Sequence, residues 1–206
     1  MGHVADELRV WYEATQPRRR LRPMVQTFPA CLHYLEPLSA PGFNRLWVAT
    51  RSPRWQVAYF DGFINGGDPD PPVAYLAQRL GCFGLTITCC PQTSTIYGAN
   101  QLQLFGPVKT DLLNFVWVVS ATNDGGRWLW QHSGPTYDFE EPAAYERRRI
   151  RDRFTPAMLR RYCIALGVPL NDSQYTENAL LDSGPKLPGK SESLAAAQER
   201  LGLLSV

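Results

Sequence analysis

Seven arginines fall within residues 138–168, DFEEPAAYERRRIRDRFTPAMLRRYCIALGV, and they are the side chains best suited to chemistry. Guanidinium groups hold carboxylates and phosphates through planar, two-pronged hydrogen bonds. The spacing predicts two consecutive helices. On the first, Ala143, Arg147, Ile150 and Phe154 share one stripe, with Asp138 and Glu141 at capping-box spacing. Arg147, inside that stripe, must extend its head to water or find a buried carboxylate. Arg148, Arg149, Arg151 and Arg153 take the other faces. Asp138, Glu140, Glu141, Glu146 and Asp152 can neutralise them locally. The cluster therefore reads as a solvated face or as a surface for an anion or acidic partner.

Trp128, Trp130 and His132 alternate along a predicted strand, with Trp117 on the strand before it. Such a stripe fills a core, or supplies aromatic anchors if one end is exposed. The vicinal pair Cys89 and Cys90 would need a base to act as a nucleophile. The histidines His3, His33 and His132 belong to no local catalytic signature, so these cysteines read as small hydrophobes at a strand end. HExxH, paired CxxC and calcium-loop patterns are missing, including from the acidic stretch 61–70, DGFINGGDPD. No glycine pattern matches a phosphate or dinucleotide loop. No metal and no cofactor are expected. Carboxylate pairs for acid–base work would be Asp61 with Asp68 or Glu140 with Glu141.

Positioning these groups calls for short elements, because 17 prolines are spread along the chain. Residues 8–12 suggest a first strand, and the proline-bracketed run 16–23 an extended segment. Residues 46–50 and 55–60 read as strands joined by a Ser52-Pro53-Arg54 turn. Asp70, Pro71 and Gly81 bound a helix. Strands follow at 83–89, 97–105 and 114–122, the last apolar on both faces as a central strand would be. Asn123-Asp124-Gly125-Gly126 predicts a tight hairpin returning through 127–133. Thr155 and Pro156 start the second arginine-bearing helix, and Gly167 ends it; Met158, Leu159, Tyr162, Ala165 and Leu166 form its apolar face. Residues 182–193 have linker composition, and a short tail helix over 194–201 needs a surface to dock on.

This order predicts an α+β fold: a mostly antiparallel sheet with helices packed on it, a C-terminal helical pair and a short tail helix. Its 206 residues suit one globular domain over 1–181, followed by a linker and helix over 182–206. Basic residues divide into 18 Arg and 3 Lys, yet the net charge is only +2, so nucleic acid is an unlikely partner. Five cysteines, no signal-like start and no long apolar run indicate a soluble, cytoplasmic chain without a disulfide framework or membrane span. Arg, Trp and Tyr are the types that dominate interface hot spots. The reading is a small protein-binding module, such as an inhibitory or immunity-type partner in a bacterium, contacting its partner through Arg147, Arg148, Arg151, Trp128, Trp130 and His132. The alternative is an enzyme for an anionic small molecule, with Arg147 or Arg127 as clamp and Asp124, His132 or a glutamate as base. The third is nucleic-acid binding through Arg18, Arg19, Arg20 and the helical arginines. Oligomeric state is not encoded in any pattern here.

Overall fold

A computed structural model describes residues 2–39, 44–62, 70–94, 96–111, 113–185 and 188–201. In chain order the elements are α1 (Gly2–Thr15), β1 (Arg20–Val25), a 3-10 turn (Ala30–Leu35), β2 (Leu38–Ser39), β3 (Arg45–Thr50) and β4 (Gln56–Phe60). Then come α2 (Asp70–Leu80), β5 (Gly84–Cys90), β6 (Ala99–Phe105), β7 (Phe115–Asp124) and β8 (Arg127–Ser133). The chain finishes with α3 (Pro142–Tyr145), a 3-10 turn (Ile150–Asp152), α4 (Pro156–Ala165), a third 3-10 turn (Asp172–Gln174), β9 (Tyr175–Ser183), β10 (Ser191–Glu192) and α5 (Leu194–Arg200). All pairings within the sheets are antiparallel, and the fold class is α+β. Among the described residues no helix is long and apolar enough to cross a membrane.

The contacts gather into two compact units, Met1–Pro69 with Pro169–Val206 and Asp70–Val168. The reason is β9, which returns to lie between β1 and β3 in a sheet of order β1-β9-β3-β4. Residues 182 and 183, predicted to begin a linker, are the end of that strand, and Ser191–Glu192 pairs with β2.

In the first unit, one sheet face carries Leu46, Val48, Tyr175, Ala179 and Leu181 into a core shared with Cys31, Leu35 and Ala197. Residues 8–12 are helical rather than extended. Val4, Ala5, Leu8 and Tyr12 are buried while Val10 is 54% exposed, so the 3.6-residue stripe outcompetes the alternation of Leu8, Val10 and Tyr12. The tail helix finds its surface within the chain: Ser193 caps α5, Ala197 enters the core, and Glu36 Oε1 accepts the Leu194 N–H at 2.6 Å. That N–H, with His33 adding to it, holds the Glu36 carboxyl below its usual range. A carboxyl depressed on folding stabilises the fold above its unfolded value, about 4.3, and the benefit disappears as pH falls through the lower folded value. Amide exchange of α5 should therefore accelerate selectively below about pH 4, and Glu36→Gln should flatten that dependence.

In the second unit the sheet runs β5-β6-β7-β8. The predicted hairpin is present: Gly125 and Gly126 adopt φ of 59° and 95°, and Asn123 Oδ1 accepts the Gly126 N–H at 2.8 Å. Leu102, Leu104, Trp117, Val119 and Ala121 face a core closed by Phe154, Met158, Leu159, Tyr162 and Cys163. Thr155 caps α4 by accepting from Met158 N, and Gly167 ends it at φ 71°. The first arginine-bearing helix is cut short. Only Pro142–Tyr145 is α-helical, and the chain resumes as the 3-10 turn Ile150–Asp152. A continuous helix would set Arg147 over Arg151 and Arg149 over Arg153 at i,i+4, where like charges repel.

Candidate functional site

Cutting that helix short changes where its side chains go. Arg147 is exposed, not part of an apolar stripe; its Nη1 donates to the Asp152 carbonyl at 2.8 Å, and Arg153 Nε donates to the Arg147 carbonyl at 2.8 Å. Arg148 and Arg149 are exposed, and Arg151 lies 3.8 Å from Asp152 Oδ1 with more than half of its side chain in water. Pairs this open contribute little stability. Helix α3 starts from Glu141 without a side-chain cap, so the Asp138–Glu141 capping box does not form.

Glu140, expected from the sequence to neutralise nearby arginines or to pair with Glu141, is instead the hub of a buried cluster. Its side chain is fully buried. Oε1 accepts from Trp117 Nε1 at 3.1 Å and Tyr137 N at 2.7 Å, and Oε2 accepts from Tyr145 Oη at 2.7 Å. Tyr145 spends its single proton on the carboxylate, so Tyr162, 2.9 Å away, donates to Tyr145 while itself accepting from Glu141 N at 2.7 Å. Burial, together with the bond it donates to Glu140, pushes the Tyr145 phenol up, keeping it a neutral donor. A further hint of this hub in the sequence is that Glu140 follows two aromatic residues, Tyr137 and Phe139.

His132 stands beside the hub. Its Nε2 is 3.3 Å from Glu140 Oε2, too poorly aligned to count as a hydrogen bond but close enough for an ion pair when the ring is protonated. Its ring lies 4.9 Å from that of Tyr145, and Trp130 lies 5.0 Å from the same tyrosine. The Arg153 guanidinium sits over Trp130 at 5.9 Å, within cation–π range. Trp128, Trp130 and His132 thus share one half-buried face of β8, and the 3-10 turn Ile150–Asp152 packs against the same strand. The fold brings the aromatic stripe and the arginine segment together.

Other groups singled out by sequence do not converge. Glu141 turns outward to pair with Arg161, so it forms no carboxylate pair with Glu140. Asp124 and Arg127 face each other at the hairpin tip, five residues or about 16 Å along the strand from His132. The Cys89 thiol is raised by burial and by Cys90, and Cys163 is pushed up to about 11, the opposite of an activated nucleophile. Asp61 is buried and accepts from Asn44 N at 2.9 Å; Asp68 and most of the loop 61–70 lie outside the described residues. Of the basic run, Arg19 turns inward to Asp182, at 2.6 Å, which breaks up a continuous Arg18–Arg20 patch.

The fold class is α+β, with the arginine segment beside the end strand β8, whose Trp128 and Trp130 pack against the core of the second unit. Comparison of the chain with family models, curated proteins and solved structures finds no match.

Proposed function

We propose that this chain is a protein-binding module that seats an acidic segment of its partner on β8 and the arginine segment beside it. One observation carries the reading: Arg147, Arg148, Arg149, Arg151 and Arg153 are bunched within seven residues, next to a strand face bearing Trp128, Trp130 and His132. Arginine supplies the charge-assisted bonds and tryptophan the desolvated anchor that interfaces favour. β8 also ends its sheet order, so an extended peptide could pair with its outer edge. In this proposal the module is an inhibitory or immunity-type partner in a bacterial cytoplasm.

The test is double charge reversal, Arg148→Glu with Arg151→Glu. Complex formation should weaken at least about tenfold because exposed charges at an interface act on encounter and register. The melting temperature should stay within about 2 °C, since both side chains are in water. A second reading, an enzyme for an anionic small molecule, is favoured by His132 beside buried Glu140. Turnover lost in His132→Gln without loss of partner binding would select it.

A further inference from the structure

We infer that the first unit carries a separate binding site for a small zwitterion with an apolar body, the chemistry of an amino acid such as leucine. The place is an open depression of about 330 Å³ between α1 and β1, lined by Arg9, Tyr12, Glu13, Pro17, Arg19, Arg20 and Leu21. That is the lower end of the range for small-molecule sites.

Charge pairing within the lining decides the ligand class. Arg9 is matched by Asp6 at 2.7 Å, and Arg19 by Asp182 at 2.6 Å, so both positive charges are offset. Arg20 and Glu13 are different. Arg20 Nη1 donates to the carbonyls of Pro17 and Arg19 at 3.0 and 3.1 Å, which fixes its head, yet no described carboxylate pairs with it. Glu13 likewise has no ion-pair partner among the described residues, although it lines the same depression. Arg20 and Glu13 thus line one depression without an ion pair to each other or to any described residue. A ligand carboxylate on Arg20 and its ammonium on Glu13 would satisfy both, with charge-assisted bonds at each end. Between them Leu21 and Pro17 offer apolar surface for an aliphatic side chain, over a Tyr12 that is 4% exposed and covered by the Arg19 guanidinium.

The floor is held rigid from below. Tyr12 Oη donates to Asp182 Oδ2 at 2.5 Å and accepts from Arg45 Nη1 at 2.9 Å, so the ring cannot swing without breaking a buried cluster. Rigid walls lower the ordering cost of binding.

The experiment is a titration of the full chain, followed by amide NMR, with L-leucine and with 4-methylpentanoate, the same skeleton without the amine. Leucine should saturate with a Kd below about 1 mM, and 4-methylpentanoate should bind at least about tenfold more weakly. Arg20→Ala should weaken both ligands by a similar factor. Glu13→Gln should abolish the preference for leucine while leaving 4-methylpentanoate as tight or tighter, because a repelling carboxylate has gone. Both residues are exposed, and an unchanged melting temperature establishes that the fold is kept. Absence of saturable shifts with leucine, or a leucine preference that survives Glu13→Gln, overturns the assignment.

Discussion

Asp182→Ala should destabilise the protein by about 4 kcal/mol, the scale for stripping one partner from a buried ion cluster. Asp182 is completely buried and takes Arg19 Nε at 2.6 Å, Tyr12 Oη at 2.5 Å and Arg45 Nη1 at 3.2 Å. Its removal strands two guanidiniums side by side, away from water, and leaves the Tyr12 hydroxyl with no carboxylate to donate to. Those groups tie α1, the turn leading into β1, β3 and β9 together, so the loss should appear as unfolding of the first unit. Asp182→Asn keeps an acceptor but not the charge, and should cost visibly less. Urea denaturation followed by far-ultraviolet circular dichroism, with all three proteins at one pH, measures the order. Equal midpoints for wild type and Asp182→Ala would contradict it.

Glu140→Ala should cost the second unit a similar amount, about 4 kcal/mol, by a different route. Here no cation is stranded. The damage is three donors deprived at once: the Trp117 indole, the Tyr137 amide and the Tyr145 phenol. The Tyr162–Tyr145 relay loses its terminal acceptor, and a cavity opens beside Trp117, which is 1% exposed. Glu140→Gln retains one acceptor oxygen but points an amide donor at Tyr145 or His132, and should fall between. Tryptophan fluorescence during denaturation reads the change directly. A shift below about 1 kcal/mol for Glu140→Ala would mean that the donors find other partners.

These two carboxylates also mark the limit of what sequence reveals here. The β7–β8 hairpin is legible because its signal, Asn123 to Gly126, is local and its backbone needs are met by glycine. Helices α2 and α4 are legible through their flanking prolines and glycines. Asp182 is not, because the partners that make it a core residue stand 163 and 170 positions away. The same distance hides β9: it alternates little, and its place is set by β1 and β3 rather than by its own pattern. In α1 two periods compete over the same residues, and burial of Val4 and Ala5 decides for the helix. At the site the residue types were legible and the geometry was not. Trp128, Trp130, His132 and the arginines could be named from the text, but Arg147 is placed in water by a helix break that like-charge spacing explains only once the turn is seen.

Under the proposed function, the arginine segment and β8 form one binding surface for an acidic protein partner. Its most direct test is parallel capture from nuclease-treated native extract with tagged wild-type chain and with the Arg148→Glu, Arg151→Glu variant, quantified by mass spectrometry. One protein carrying an acidic segment should be recovered at near-stoichiometric amount on the wild type and at least about tenfold depleted on the variant. A partner retained equally by both chains, or no protein enriched on the wild type, would contradict it.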